Sequence, residues 1–541
     1  MSQIDEKADI IQNEAPILEG GAQTELNHEG VRKSAFDNLG VWETAKTFRR
    51  AVFFCVACYT MSMLDGWSVS VAGSIVVNKG FVNQFGTRAG QTGVQQLSPT
   101  WLSAWQCMYN CGQFLCLPTI PYIANRYGRV FVFWMSLLSF LIGMVCLTIA
   151  RTPAVWTVGQ FFCGLSGAME QLSVTPYAVE IAPTRIRGGL VTFQAVWSSI
   201  FQIILAFMLE IMNRKYPYDW LKPLYVVWPL AGIIFVAIIL LPESPWFYAR
   251  RGNKEKAIKS LNRLYKGVPG YDVEEEYAVI LRTLSHEQQM LDLQGGGESW
   301  LDLFRRGNLK RTVIVMAFEA GILLGGLSMV GNFKTYFFAI AGGINPFLAN
   351  LITSIVNLFI VAVYSAIADK IGRRTPVLVC FIVVCVTLWI MGGLYYVSAG
   401  KVVGGVLVTC ACLWSGAETI TQNVYWLMAA ELPSAQLRLK TCSAGLFWGA
   451  ALGMSTVFAV PPSLDALGLR SSFIWAALTV PVCVFLYFYL PETKGRCSAE
   501  IDELFERGVP AWKWSTTVTS VEDQLREAQL SGQIANKENF A

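Results

Sequence analysis

The chain has 541 residues, of which 54% are hydrophobic and only 15% charged. This balance excludes an ordinary water-soluble domain, which needs a much more polar surface, and it excludes a disordered chain. The formal net charge of +4 gives no reason to invoke nucleic acid, and two histidines, His28 and His286, cannot build a histidine-based metal or catalytic cluster.

Taken in chain order, residues 1–48 form a polar tail. Its acidic stretch up to Glu43 has no cleavable signal pattern and reads as disordered. Apolar runs of about 20 residues then recur, which is the length at which a helix crosses a bilayer. Roughly twelve are present, at 51–77, 101–124, 130–150, 154–179, 189–212, 220–241, 312–339, 346–368, 376–397, 402–430, 441–460 and 471–490. They are too long and continuous for barrel strands, so the predicted fold class is an all-α membrane protein. The runs divide the chain into an N-terminal tail (1–48), six spans (49–241), a central polar segment (242–311), six more spans (312–490) and a C-terminal tail (491–541).

In the central segment Arg250, Arg251, Lys254, Lys256, Lys259, Arg263 and Lys266 interleave with Ala, Leu and Ile. That pattern predicts amphipathic helices beneath the membrane domain. The positive-inside rule assigns this segment to the cytoplasm, and an even number of spans places both termini there. The stretch after Trp514 resembles the N-terminal tail in composition.

Two phrases are written twice. Ala124-Asn125-Arg126-Tyr127-Gly128-Arg129 follows the second span, and Ala368-Asp369-Lys370-Ile371-Gly372-Arg373-Arg374 follows the eighth. Glu180 to Arg187 ends the fourth span, and Glu431 to Arg438 ends the tenth; in both, Glu precedes Arg by seven residues. A repeat with a period of six spans means two related halves, and two packed halves that rock about a central site make a secondary transporter. No phosphate-binding glycine loop is present, so ATP-driven transport is not predicted. The cysteines lie mostly within spans at spacings that demand no metal. No cofactor is predicted.

The Gly-Arg phrases resemble the loop signature of the major facilitator superfamily. Tyr177 through Gly188, Pro242-Glu243-Ser244-Pro245-Trp246, Tyr425 through Arg438, and Pro491-Glu492-Thr493-Lys494-Gly495 followed by Glu500 to Phe505 narrow the resemblance to its sugar porter family. Val158-Gly159-Gln160 and Thr335-Tyr336-Phe337-Phe338 with Ala341-Gly342 resemble the fungal alpha-glucoside and maltose permease branch. The resemblance runs from about Phe53 to Val509 and implies twelve helices in two six-helix bundles, with proton symport as the usual mechanism.

Carboxylates and guanidiniums at the cytoplasmic helix ends can pair across the two bundles, and the planar Arg fork suits a carboxylate. Such pairs would hold the cytoplasmic side shut and break on inward opening. The expected gate comprises Arg126, Arg129, Glu180, Arg187 and Glu243 in the first half. In the second it comprises Asp369, Arg373, Arg374, Glu431, Arg438 and Glu492. Asn125 stands where the family has Asp, which predicts a weaker latch in the first half.

Ionisable groups inside spans are costly and usually functional. Asp65 matches the family's first-helix Asp, which implies a proton-coupling role; a structural carboxylate bonded to neighbouring helices is the alternative. The fourth-span Arg with which it is often paired is Gln160 here, which leaves Glu170 as a second candidate carboxylate. A sugar needs hydroxyl partners and an aromatic plane, which amides and Trp supply. Asn357, Glu418 and Trp426 match substrate-facing positions of sugar porters. Ser198 and Gln202 share a helical face with Ala195, and Gln202 matches a cavity-facing position. The seventh span departs from the family: Ile322 and Leu323 replace its glutamines, and Ser328 and Asn332 are the polar groups it offers. Lys334, on the same span, either faces the cavity and attracts an anionic solute or snorkels toward the outer interface, and snorkelling is the favoured expectation.

Three functions remain open. They are a proton-coupled permease for a sugar, glycoside or polyol in the plasma membrane, a same-fold transporter of a non-sugar solute such as a quinate-like acid or secondary metabolite, and a non-transporting solute receptor. The expected partners are the solute, protons and the lipid bilayer, and the expected state is a monomer.

Overall fold

The computed structural model describes residues 41–89, 95–183, 186–268, 271–293, 300–342, 345–397, 400–433, 437–494, 496 and 498–519. Most of the two stretches read as disordered, 1–40 and 520–541, lies outside these residues.

Helix occupies every run expected to cross the membrane. Span 1 is Arg49–Tyr59 with Ser62–Ile75, and span 2 is Pro99–Cys116 with Ile120–Tyr127. Spans 3, 4 and 5 are Arg129–Ile149, Pro153–Ile181 and Arg187–Lys215. Span 6 is Leu221–Tyr225 with Val227–Leu240. Span 7 comprises Arg306–Ile322, a wide-turned stretch Leu323–Asn332, and Lys334–Ala341. Spans 8 to 12 are Pro346–Ile371, Arg374–Gly393, Lys401–Glu431, Arg438–Leu467 and Ser471–Tyr489.

Nine stretches among the described residues are apolar and long enough to cross a membrane by themselves; the last of these joins spans 11 and 12. Spans 2 and 4 fall short because they carry polar residues inward, among them buried Gln106, Gln160, Ser166, Glu170 and Ser173. Such helices are stable in a bilayer only when that face is covered by protein or faces water. Span 2 breaks where Pro118 and Pro121 remove backbone donors. Span 7 breaks at Gly326, whose φ of 88° is one that side chains other than glycine rarely adopt.

The two halves repeat one packing scheme. Span 3 packs on 4 and span 2 on 4, as span 9 packs on 10 and span 8 on 10. Between the halves, span 2 lies along span 11 and span 5 along span 8, so the interface obeys the same twofold relation. The end of the bundle bearing Gly128 and Gly372 is called here the Gly-Arg face. At the opposite, far face the halves are bridged: Ser74 of span 1 bonds Thr335 of span 7 at 2.9 Å, and the Ser103 hydroxyl donates to the Phe458 carbonyl at 2.9 Å. Gly73 lies so close to the Asn332 carbonyl that a Cβ would collide with it. A short hairpin pairs Arg88–Ala89 with Gln95–Gln96.

The central segment forms helices Pro245–Arg250, Lys254–Tyr265 and Val273–Leu293. Their apolar sides, Ala249, Ala257, Leu261, Tyr277 and Ile280, bury one another. The second is tied under the first half by Tyr265 donating to the Ile181 carbonyl at 3.1 Å and Arg263 to that of Leu240 at 2.8 Å.

Candidate functional site

The repeated Gly-Arg phrase is a helix start built around a buried carboxylate. The first-turn N–H groups of a helix lack intrahelical acceptors and carry the positive end of its dipole. At span 3 they are met by Glu243, which follows span 6: its carboxylate accepts from the N–H of Arg129 at 2.8 Å, Val130 at 3.1 Å and Ser244 at 3.1 Å. At span 9 Glu492, which follows span 12, accepts from Arg373 at 2.9 Å, Arg374 at 3.1 Å and Lys494 at 3.0 Å. The preceding glycines have φ of 106° at Gly128 and 92° at Gly372. A Cβ on Gly128 would sit 2.8 Å from the Glu243 Cδ, and one on Gly372 2.7 Å from the Glu492 Oε2. Glycine is needed twice over, for the conformation and for the space. Burial pushes the Glu243 carboxyl up from the usual carboxylate range, against the downward pull of the three backbone donors.

The arginine side chains then reach the fourth helix of their own half. Arg129 meets Glu180 at 3.2 Å and Arg373 meets Glu431 at 3.5 Å. Glu431 also accepts from the Thr493 hydroxyl at 2.5 Å, whereas Glu180 Oε2 is buried without a partner. Arg126 is exposed and donates to the Tyr122 hydroxyl at 3.0 Å, and Arg374 donates to the Tyr487 carbonyl at 2.6 Å. The Arg129–Glu180 and Arg373–Glu431 pairs each join helices within one half. The side chains of Arg187, Asp369 and Arg438 lie outside the described residues.

Asp65 of span 1 is held from two sides. The Tyr109 hydroxyl of span 2 donates to one carboxylate oxygen, and Gln171 Nε2 of span 4 donates to the other at 3.1 Å. Gly167 leaves the space for both Asp65 and Tyr109. Glu170 is buried near Asp65, with one oxygen lacking a partner. Gln160 is buried too, and its carbonyl oxygen is unpartnered.

Two of the proposed solute contacts are exposed on helix faces turned away from the outward-facing apolar residues. Trp426 is 42% exposed, yet it lies roughly 200° around span 10 from the outward-facing Val406 and Leu413. Gln202 is exposed about half a turn away from the outward-facing Ile204 and Ile211 of span 5. Ser198, one turn before Gln202, is half-buried.

The other four point elsewhere. Asn357 is buried and accepts from the Thr419 hydroxyl of span 10 at 3.0 Å. Ser328 is buried in a 2.9 Å hydrogen bond to Thr456 of span 11. Asn332 is half-buried, its carbonyl against Gly73. Glu418 is buried within its own half, with both oxygens unpartnered. Lys334 is half-buried near Cys412 of span 10, at odds with the expected outward snorkel. Tyr109, Gln171 and Thr419 were not predicted as site residues. Only the helix register shows that they touch Asp65 and Asn357, although three polar groups within spans are a signal in themselves.

The sequence profile of the family described as "Sugar (and other) transporter" matches residues 54–505. The MFS transporter fmqE of Aspergillus fumigatus is 27% identical over 88% of this chain and 91% of its own length. Maltose permease MAL61 of Saccharomyces cerevisiae is 26% identical over 87% and 78%. Among solved structures, the inward-open xylose transporter XylE from E. coli superposes with a TM-score of 0.68, covering 84% of this chain and 99% of that one at 17% identity. The proton:xylose symporter XylE bound to 6-bromo-6-deoxy-D-glucose gives 0.66 at 18% identity, covering 84% and 99%.

Proposed function

The chain belongs to the sugar (and other) transporter family and has the major facilitator fold, and from that premise we propose that it moves a sugar or sugar-like solute across the plasma membrane by alternating access, coupled to protons. The carrying observation is that an amide, Gln202, and an aromatic plane, Trp426, are exposed on helix faces turned away from the outward-facing apolar residues of two twofold-related halves. Those are the two chemistries a polyhydroxyl solute needs. The Gly-Arg face is taken as cytoplasmic, because the basic central segment lies there. Bridging at the far face fits a conformation closed to the outside.

In this reading Gln202, Trp426 and Ser198 contact the solute. Asn357 joins them by exchanging its Thr419 bond for a solute hydroxyl. Asp65 carries the proton, and Tyr109 and Gln171 hold it. The Arg129–Glu180 and Arg373–Glu431 pairs fix the ends of each half so that it moves as a rigid body, and Glu243 and Glu492 anchor the same corners. The acid that binds a proton on one side and releases it on the other must be reachable from both. Asp65 is partly exposed among spans 1, 2 and 4, which supports that role for it.

A second reading is favoured by span 7. Ile322 and Leu323 are packed in the core, so neither position presents an amide to a solute. A less hydroxylated solute, such as a quinate-like acid or a secondary metabolite, suits that surface. Uptake of a labelled solute panel by transport-deficient yeast expressing the chain, at two external pH values, separates the readings. Sugar uptake that rises at acidic pH is the expected result. Uptake confined to non-sugar solutes establishes the second reading, and binding without uptake leaves a receptor.

A further inference from the structure

The second half contains a buried acidic site that the reading above does not use. Glu418 of span 10 is 3% exposed, and neither of its oxygens has a hydrogen-bond partner. Glu319 of span 7 lies within electrostatic reach of it. The Tyr425 hydroxyl, two turns along span 10 from Glu418, is also buried and lies beside Glu319, close enough to donate to it.

Glycine makes room for all three groups. A Cβ on Gly449 would fall 2.7 Å from Glu319 Oε1, and one on Gly445 2.6 Å from the Tyr425 oxygen; these two glycines are one turn apart on span 11. Gly325 of span 7 faces Glu418 Oε2 at 3.6 Å from its would-be Cβ. Three helices thus pack closely around a buried cluster of two carboxyls and a phenol. The other titratable groups turned toward it are Cys380 of span 9, near Glu418, and Cys442 of span 11, near Tyr425. Neither is a cation, and among the described residues neither glutamate takes part in an ion pair.

Two buried carboxylates without a counter-charge repel each other and lack solvation, so the arrangement is stable only when a proton removes one charge. We propose that Glu418 and Glu319 form a second proton-binding site, in the C-terminal half and separate from Asp65, occupied by one proton. The bound proton neutralises one carboxyl, and its release leaves two like charges between spans 7 and 10. Those spans join at the break around Gly326, where span 7 bends most readily, and repulsion there would push the two spans apart. The site deepens the proton-coupled reading but does not depend on it, because its occupancy can be read without any solute.

The test uses the full-length protein reconstituted in lipid at neutral pH, reading the infrared carbonyl-stretch band of protonated carboxylic acids. Asp65→Asn with Glu170→Gln removes the candidates of the first half. The band that remains should lose intensity when Glu319→Gln or Glu418→Gln is added. A band unchanged by both additions overturns the proposal, as does the absence of any band in the first-half double variant. Wild-type protein supplies a second arm that needs no variant to fold: a hydrophobic carbodiimide, which adds to protonated carboxyls, should label Glu319 or Glu418, with yield falling as pH rises. Adducts confined to other carboxyls count against the site. Failure of transport in the solute panel would leave these readouts untouched, so the two readings fail separately.

Discussion

The backbone N–H of Arg373 donates to the Glu492 carboxylate at 2.9 Å, across 119 residues of sequence, while its own side chain meets Glu431 at 3.5 Å. Arg129 stands in the same relation to Glu243 and Glu180. Each arginine therefore joins three helices of its half: it begins one, its N–H is held by the carboxylate that ends another, and its guanidinium reaches a third. This geometry explains why the Gly-Arg phrase and the Pro-Glu phrase both occur twice. They are two pieces of one corner, present once in each half.

The first prediction concerns that corner. Glu492→Ala removes the acceptor of the first N–H groups of span 9, and loss of a helix cap costs about 1 kcal/mol. Gly372→Ala adds left-handed strain of roughly 1–2 kcal/mol and a Cβ where the carboxylate sits. Both variants should melt several degrees below wild type in detergent. Melting temperatures equal to wild type in both would mean that the corner does not stabilise the bundle.

A second prediction separates rigidity from folding at the ion pairs. Arg373→Ala leaves Glu431 its Thr493 partner, so the protein should still fold. Glu431→Gln likewise keeps a neutral acceptor. Each should nonetheless lower uptake several-fold, because span 9 is no longer held to span 10 at the end that must move as a unit. Undiminished uptake by both variants at matched surface expression would remove these residues from the mechanism.

A third prediction divides the candidate solute contacts. Trp426→Ala and Gln202→Ala take away side chains that are already exposed, and Asn357→Ala removes a buried amide now bonded to Thr419. All three should weaken solute affinity more than they reduce abundance. Ser328→Ala should behave oppositely: its hydroxyl is committed to Thr456, so about 1 kcal/mol of stability is lost while affinity stays. Equal affinity across the first three variants would show that the solute binds elsewhere.

The division into halves was legible because long apolar runs and repeated phrases survive without any knowledge of contacts. Spans 2 and 4 were legible as helices even though their polar faces lower their hydropathy, since the runs around Gln106 and Gln160 are still long. The roles of Glu243 and Glu492 were not legible as caps. A carboxylate at a helix end looks the same in sequence whether it bonds an arginine side chain or a backbone more than a hundred residues away. Tyr109, Gln171 and Thr419 were missed for a related reason: which polar groups of neighbouring helices meet depends on their rotation and depth, and hydrophobic periodicity leaves both loose. Ser328 was read as one of the polar groups that span 7 offers; the backbone break at Gly326 precedes it, and its hydroxyl bonds to Thr456 of span 11.

The last prediction concerns coupling in the first half. Asp65→Asn fixes a neutral group where charge must alternate, so accumulation against a gradient should be lost while exchange down a gradient persists. The pH dependence of uptake should flatten as well. Tyr109→Phe removes a donor to the ionised form of Asp65, which disfavours that form. The pH dependence should therefore shift to more alkaline values rather than disappear, and that shift distinguishes a tuned carboxylate from one that only joins helices. Glu170→Gln is the necessary companion, because Glu170 is buried beside Asp65 and has an unpartnered oxygen. Uphill, pH-dependent uptake retained in Asp65→Asn but abolished in Glu170→Gln would move the proton to span 4. If both single variants keep uphill uptake, the first half carries no essential proton, and coupling, where it exists, resides with Glu319 and Glu418.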